Sequence, residues 1–99
     1  MLNNLIVVIS GGAGRIGSAL SRAVVENGGK VIIGDINREQ ANKLVLDLGD
    51  KNALFFEGNL TELNTVNQMI ENGLNKYGKI DFFTNYSYLE ATFEGSHPL

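Results

Sequence analysis

Four short apolar runs alternate with longer segments that carry apolar residues at helical spacing. The runs, residues 5–9, 31–33, 53–56 and 80–84, are rich in β-branched and aromatic residues and predict buried strands. The segments between them predict three helices with one apolar face each. In chain order the predicted faces are Ile16, Ala19, Leu20, Ala23 and Val24, then Ala41, Leu44, Val45 and Leu48, then Leu63, Val66, Ile70 and Leu74.

The order βαβαβαβ predicts an α/β fold, a doubly wound parallel sheet joined by right-handed crossovers. We expect an incomplete Rossmann-type sheet with the strand order 3-2-1-4, and a flavodoxin-like order is the alternative. Thr61 is a candidate N-cap for the third helix. Core positions rather than a stacking platform are expected for Phe55, Phe56, Phe82 and Phe83. Residues 89–99 show neither helical nor strand periodicity and form an unassigned tail.

Composition narrows the class of protein. The chain has 99 residues, 43% of them apolar and 19% charged, which excludes intrinsic disorder. A net charge of −3 argues against a nucleic-acid partner, because binding phosphates needs clustered basic residues. The longest apolar run, residues 5–9, is too short for a membrane span of about 20 residues, and the first residues lack the positive region of a secretory signal.

The chain has no cysteine and a single histidine, His97, near its end. Disulfides and thiolate chemistry are therefore excluded, and no cluster has the spacing of a metal site. We expect a soluble, cytoplasmic protein that binds no metal, no nucleic acid and no membrane.

A glycine-rich loop follows the first predicted strand and opens the first predicted helix. Its sequence, Gly12-Ala-Gly14-Arg-Ile-Gly17, matches G-x-G-x-x-G in the context that a dinucleotide site requires. Missing Cβ atoms let the backbone approach a pyrophosphate, which the N–H groups at the helix N-terminus can bind. The loop thus predicts a phosphate-binding turn, and a turn without a ligand is the alternative. A P-loop is excluded, since Ser18 stands where the phosphate-binding lysine is needed.

An acidic residue ends the second predicted strand. Asp35 lies 18 residues after Gly17, near the spacing at which an acidic side chain binds the adenosine ribose. A carboxylate also repels a 2′-phosphate, so NAD is expected as the cofactor and NADP is less favoured. Arg15 and Arg38 could reach a 2′-phosphate from the loops. The alternative role for Asp35 is a charge or cap at the N-terminus of the second helix.

These residues resemble the short-chain dehydrogenase/reductase family over about residues 3 to 88. The loop Ser10-Gly-Gly-Ala-Gly-Arg-Ile-Gly17 is similar to the T-G-x-x-x-G-x-G loop of that family, and also to the T-G-x-x-G-x-x-G loop of its extended branch. Asn59-Leu60-Thr61 resembles the Asp-Val/Leu-Thr segment of the compact branch, whose first residue contacts adenine. Tyr77-Gly-Lys-Ile-Asp81 resembles the run before its fourth strand, and Asn85 matches the first residue of its N-N-A-G motif. The compact branch is therefore favoured.

The resemblance implies a partial NAD(P)-binding Rossmann domain over residues 1–88. Together with the pattern analysis, it gives eleven candidate cofactor-binding residues: Gly11, Gly12, Gly14, Arg15, Ile16, Gly17, Asp35, Ile36, Asn59, Leu60 and Asn85.

The chain departs from the family at the positions that would carry catalysis. Asn59 replaces the usual aspartate, and Asn85-Tyr-Ser-Tyr88 keeps only the first position of N-N-A-G. The resemblance implies a catalytic serine and a Tyr-x-x-x-Lys pair after the fourth strand, but the chain has no such pair and no lysine beyond Lys79. No catalytic residue is assigned, and whether the chain is an enzyme stays open.

Two main functions follow from the sequence. The chain is either the cofactor-binding part of an NAD(P)-dependent short-chain oxidoreductase whose catalytic half is missing, or a non-catalytic dinucleotide-binding or sensing module. A fragment of an extended-branch sugar-nucleotide epimerase or dehydratase is a further alternative. Self-association through the apolar edge of the fourth strand is also expected.

Overall fold

Strands and helices alternate along the part of the chain that the computed structural model describes, residues 2–85. The strands are β1 (Ile6–Ser10), β2 (Lys30–Asp35), β3 (Ala53–Glu57) and β4 (Phe82–Asn85). The helices are α1 (Arg15–Glu26), α2 (Arg38–Leu48) and α3 (Leu63–Tyr77). The expected residues 86–88 of the domain and the tail at 89–99 lie outside the described residues.

The four strands form one parallel sheet in the order β3-β2-β1-β4, which confirms the predicted Rossmann-type topology. Helical crossovers join consecutive strands, as parallel pairing requires. All five residues of β1 are buried, as expected for a central strand covered on both faces.

The sheet separates two apolar clusters. On one face α1 and α2 cover a larger cluster whose buried residues are Val7, Ile9, Ala13, Val24, Val31, Ile33, Ala41, Leu44 and Ala53. On the other face α3 covers a smaller one whose buried residues are Ile6, Val8, Ile32 and Met69. We call these the α1/α2 face and the α3 face. Neighbouring residues of β1 and β2 alternate between the faces, as the pleat dictates.

The predicted apolar face of α2 is confirmed, but those of α1 and α3 are partly wrong. Ala19 and Ala23 of α1 are exposed, and small residues, Gly17 and Ser21, are buried beside Val24. In α3 the buried residues are Met69 and Gly73, whereas Leu63 and Leu74 are exposed.

The shift in α3 has a physical cause. Gly73 allows the helix to approach the sheet closely, because a Cβ at that position would lie 3.3 Å from Cγ1 of Ile32 and 3.6 Å from Cδ1 of Ile80. Gly73 therefore faces β2 at the closest approach, and Leu63 and Leu74 are exposed.

Two local predictions also fail. Thr61 does not cap α3: Glu62 holds the N-cap position without a side-chain bond, and the Thr61 hydroxyl instead donates to Oδ1 of Asn59 over 2.7 Å. Phe55 and Phe56 pack against the two clusters as expected, but Phe82 and Phe83 are 57% and 45% exposed, because β4 is an edge strand.

Candidate functional site

The carboxyl ends of all four strands meet at one edge of the sheet, since the strands are parallel. At this edge Ser10 of β1 is the register partner of Gly34 in β2 and of Asn85 in β4. Asp35 is the partner of Glu57 in β3. The loops that follow the strands therefore share the carboxyl edge, which is where open α/β sheets bind ligands.

The glycine-rich loop is closed by backbone packing that leaves no room for side chains. Gly11 has a φ of +79°, and its N–H donates to the carbonyl oxygen of Gly34 over 2.7 Å. A Cβ on Gly12 would lie 2.9 Å from Cγ2 of Ile33. A Cβ on Gly17 would overlap the carbonyl oxygen of Gly11 and lie 2.7 Å from Cα of Gly12. The loop is therefore built against both β2 and the first turn of α1.

The N-terminus of α1 lies at the carboxyl edge of the sheet. Gly14 holds the N-cap position in an extended conformation, and within residues 2–85 no side chain caps the helix. Its first turn contains no acidic residue, and Arg15 and Ile16 are exposed there. A helix N-terminus of this kind attracts an anion through its N–H groups and its dipole. The geometry and charge thus fit a pyrophosphate.

The carboxylate of Asp35 joins two loops of the site. Its Oδ2 accepts a hydrogen bond from the backbone N–H of Ala13 over 3.1 Å, and its Oδ1 accepts one from the N–H of Asn37 over 2.9 Å. The cap of α2 is Asn37, whose Oδ1 accepts from the N–H of Gln40 over 3.1 Å, so the capping role considered for Asp35 belongs to Asn37. The bond to Ala13 spans 22 positions of the sequence, and no local pattern indicates it.

An ion pair that the sequence analysis missed lies beside Asp35. Nε and Nη2 of Arg38 donate to Oε1 of Glu57 over 2.9 Å and 2.7 Å. Arg38 is the first residue of α2 and Glu57 the last of β3, so the pair connects the loops after β2 and β3. Arg38 is therefore held by a carboxylate at the edge where it was expected to reach a phosphate.

The remaining candidates surround the same edge in different environments. Asn59 is exposed, and its Oδ1 accepts bonds from the N–H and hydroxyl of Thr61 over 3.0 Å and 2.7 Å. Leu60 is half-buried and packs against the α3 face, whereas Ile36 is 71% exposed. Asn85 ends β4 and is exposed. The fold thus brings the loop, Asp35, Asn59 and Asn85 to one edge, with Leu60 as a packing residue behind it.

Within residues 2–85, two groups have clearly shifted pKa values, and both lie at the opposite, amino edge of the sheet. Burial and the negative charge of Asp50 raise the pKa of Tyr77 to about 12. A hydrogen bond from the N–H of Ile6 and the neighbouring Lys79 lower the pKa of Asp81. Neither group lies at the carboxyl edge, so neither is a candidate acid or base for chemistry there.

The described residues contain neither a metal site nor a helix that could cross a membrane. Among residues 2–85, no group of three His, Cys, Asp or Glu side chains could hold a metal ion. Over the same residues, no helix has the length and apolar character needed to cross a bilayer.

Comparison with known proteins identifies similar chains. The family model described as short chain dehydrogenase matches residues 5–92. A 7alpha-hydroxysteroid dehydrogenase of Bacteroides fragilis is 36% identical over 86 residues, which cover 83% of this chain and 32% of the relative. A post-translational flagellin modification protein A of Campylobacter coli is 36% identical over 91 residues, covering 89% of this chain and 36% of that protein.

A solved structure shows the same likeness in three dimensions. The 3-ketoacyl-(acyl-carrier-protein) reductase of Brucella melitensis, complexed with NADH, superposes with a TM-score of 0.80 at 25% identity, over 84% of this chain and 34% of its own. The chain therefore spans about a third of the length of the relatives it matches.

Proposed function

The chain belongs to the short chain dehydrogenase family, and from this premise we propose that residues 1–88 form the NAD-binding part of an oxidoreductase. The candidate site binds the dinucleotide across the carboxyl edge of the sheet. Its proposed binding residues are Gly11, Gly12, Gly14, Arg15, Ile16, Gly17, Asp35, Ile36, Asn59, Leu60 and Asn85. A bound nicotinamide supplies hydride transfer, while the residues described here hold and orient the cofactor.

The observation that carries this proposal is the glycine-rich loop. The positions of Gly12 and Gly17 admit no Cβ, so the backbone of the loop lies close against β2 and α1. This packing presents the N-terminus of α1, whose first turn contains no acidic residue, to the pyrophosphate. The NADH complex of the Brucella reductase, which superposes on this chain, is consistent with a nicotinamide dinucleotide.

The proposed preference for NAD over NADP depends on Asp35. Its carboxylate lies at the end of β2, where it can accept hydrogen bonds from ribose hydroxyls and repels a 2′-phosphate. Asn59 and Leu60 follow β3 on the adenine side, and Asn85 ends β4 towards the nicotinamide. The amide of Asn59 both donates and accepts, which suits adenine nitrogens.

Calorimetric titration of the 99-residue chain with NAD and NADP tests the proposal. We expect tighter binding of NAD, and Asp35→Ala should reduce the difference by about 1–2 kcal/mol through the loss of charge-assisted bonds. Asp47→Ala is the matched control, because Asp47 pairs with Arg22 on the exposed surface of the helices and should leave both affinities unchanged. Equal or tighter binding of NADP by the unmodified chain would show that the preference is wrong.

Turnover separates the two functional classes. The chain contains no Tyr-x-x-x-Lys pair, so we propose that it binds the cofactor but transfers no hydride by itself, since general acid–base help contributes about 10²–10⁴-fold. An NADH absorbance assay over alcohols, aldehydes, ketones and sugars tests this. Robust turnover that Gly14→Asp abolishes would contradict it. Turnover of sugar nucleotides alone would favour the extended branch.

Self-association through β4 is a second proposal, and the exposed side chains of Phe82 and Phe83 support it. Phe82 and Phe83 are exposed on β4, which lies at the edge of the sheet formed by residues 2–85, and an exposed apolar strand at a sheet edge promotes pairing between chains. Light scattering should therefore detect oligomers that Phe83→Lys disperses. A monodisperse monomer would contradict this.

The cysteine-free, acidic composition also suits the proposed cytoplasmic location.

A further inference from the structure

The ion pair between Arg38 and Glu57 bears on cofactor choice at the carboxyl edge. We propose that Glu57 is a specificity-determining residue that holds Arg38 away from a 2′-phosphate and so adds to the preference for NAD. This inference rests on the proposed dinucleotide site. Glu57 belongs neither to the glycine-rich loop nor to the acidic position at the end of β2.

The position of Glu57 follows from the sheet register. Asp35 and Glu57 are register partners in neighbouring parallel strands, so their side chains leave the same face of the sheet. Arg38 begins α2 three positions after Asp35. The guanidinium that is nearest in sequence to the proposed ribose site is therefore paired with a second carboxylate.

The bonding geometry shows how Glu57 engages the donors that Arg38 would offer to a phosphate. Two of its nitrogens, Nε and Nη2, donate to the same oxygen of Glu57, at 2.9 Å and 2.7 Å. Paired N–H groups of this kind are also what a guanidinium uses to bind a phosphate. A 2′-phosphate would therefore compete with Glu57 for the same donors, and Glu57 adds a negative charge next to Asp35.

The exposure of the pair limits the size of the effect. The side chains of Arg38 and Glu57 are 70% and 42% exposed, and an exposed ion pair has a small net free energy because water screens it. Releasing Arg38 should therefore change the NADP affinity severalfold rather than by orders of magnitude. NAD lacks the 2′-phosphate and should respond little.

Four variants of the 99-residue chain test this by calorimetric titration with NAD and NADP. Glu57→Gln should tighten NADP binding by about fivefold and change NAD binding less than about twofold. Arg38→Gln alone should have little effect on either cofactor. Arg38→Gln combined with Glu57→Gln should remove most of the gain in NADP affinity, because the freed guanidinium provides much of it.

Glu39→Gln is the matched control. Glu39 lies next to Arg38 in the first turn of α2, and its charge is removed by the same chemical change. Within residues 2–85 it forms no ion pair, so its loss should leave the ratio of NADP to NAD affinity unchanged. Circular dichroism of each variant verifies that the fold is retained, as expected for substitutions at exposed positions.

The outcomes separate this inference from the proposed function. If NAD binds and Glu57→Gln leaves the NADP to NAD ratio unchanged, the inference is wrong and the dinucleotide site stands. If Glu39→Gln changes the ratio as much as Glu57→Gln, general charge rather than the ion pair sets it, and the inference is also wrong. If the unmodified chain binds neither dinucleotide, both the proposed function and the inference fail.

Discussion

The two faces of the sheet differ in how completely they are packed. Two helices cover the α1/α2 face, and nine residues are buried in its cluster. Among residues 2–85, one helix covers the α3 face and four residues are buried there; Leu63, Leu74 and Phe83 are exposed around it, whereas Phe82 is exposed on the first face. The glycine-rich loop and the side chain of Asp35 belong to the first face. The candidate site is therefore supported by the better-packed half of the molecule.

This difference teaches which interactions shape the site. The loop contacts Ile33 and the start of α1 through its backbone, so the geometry of the glycine-rich turn depends on the packing of the α1/α2 face. The α3 face contributes Leu60 behind the site but no bond to the loop that the structure describes. Changes on the first face should thus alter both stability and binding, whereas changes on the second face at positions other than Leu60 should alter stability alone.

The largest expected effect comes from filling the space at Gly17. Gly17→Ala places a methyl group against the backbone of Gly11 and Gly12, which cannot move without opening the loop. We expect the free energy of unfolding to fall by about 3 kcal/mol and NAD binding to become undetectable. Urea unfolding and calorimetric titration measure the two effects.

Gly78→Ala, at the end of the helix that covers the α3 face, is the matched control. Gly78 ends α3 with a φ of +81°, and a Cβ there would meet no atom within 4 Å. The substitution should cost about 1–2 kcal/mol from the left-handed conformation and leave the NAD affinity of the folded chain unchanged. Equal loss of binding in both variants would mean that the loop packing does not define the site.

The next comparison uses two adjacent isoleucines of β2. Ile32 and Ile33 are both fully buried, but Ile32 points to the α3 face and Ile33 to the α1/α2 face. We expect Ile33→Val to lower the free energy of unfolding by about 1.5 kcal/mol and Ile32→Val by about 0.5 kcal/mol, since the sparser cluster can relax around a lost methylene. Equal losses in urea unfolding would show that the two faces are equally tight.

Sequence patterns predicted the parts of this structure that local chemistry determines. The β-branched runs predicted all four strands, and the alternation together with the glycine-rich loop predicted the sheet order. The faces of α1 and α3 were predicted less well, because Gly17, Ser21 and Gly73 are small residues at the closest approach to their neighbours. A search for large apolar side chains at helical spacing passes over such positions.

The candidate site shows the same limit. The sequence indicated the glycine-rich loop and Asp35 as members of the candidate site, because the spacing of glycines and an acidic residue at a strand end are local features. The bond from Ala13 to Asp35 and the ion pair of Arg38 with Glu57 join segments 22 and 19 positions apart. Such pairings depend on the register of the strands, which no local pattern contains.

A smaller effect is expected at high pH, at the end of α3. Tyr77 has its pKa raised from 10.0 to about 12 in the folded chain. Below pH 10 the phenol is neutral in both states; as the pH rises from 10 to 12, the unfolded chain ionises first and stability is lost. Because Tyr77 is only half-buried, solvent reduces this loss to about 1 kcal/mol.

Tyr77→Phe should remove this dependence on pH. The ring packing on the α3 face is kept, and the bond lost is the long one of 3.4 Å to the carbonyl oxygen of Lys51. The variant should match the unmodified chain in urea unfolding at pH 7 and exceed its stability by about 1 kcal/mol near pH 11.5. Parallel losses in the two chains would mean that Tyr77 ionises as easily when folded as when unfolded.

The smallest effect is expected where β4 begins, at Asp81. Its Oδ2 accepts the N–H of Ile6 over 2.8 Å and its N–H donates to the carbonyl oxygen of Ile6, so it extends the pairing of the edge strand with β1. The bond from the Ile6 N–H to its carboxylate and the neighbouring Lys79 lower the pKa of Asp81 in the folded chain. The charged carboxylate therefore stabilises the fold above pH 3.8, its unfolded value, and this stabilisation is lost as the pH falls through the lower folded value. Asp81→Asn should be less stable than the unmodified chain at pH 7, and the difference should vanish in strong acid.

Asp47→Asn is the control, because it removes an exposed ion pair with Arg22 instead. The destabilisation caused by Asp47→Asn should disappear in 1 M salt, which screens exposed charges. Much of the destabilisation caused by Asp81→Asn should remain in 1 M salt, because the main partner of Asp81 is a backbone N–H. Urea unfolding at pH 7 and pH 3, with and without salt, measures both, and identical salt dependence of the two variants would show that Asp81 is an ordinary surface charge.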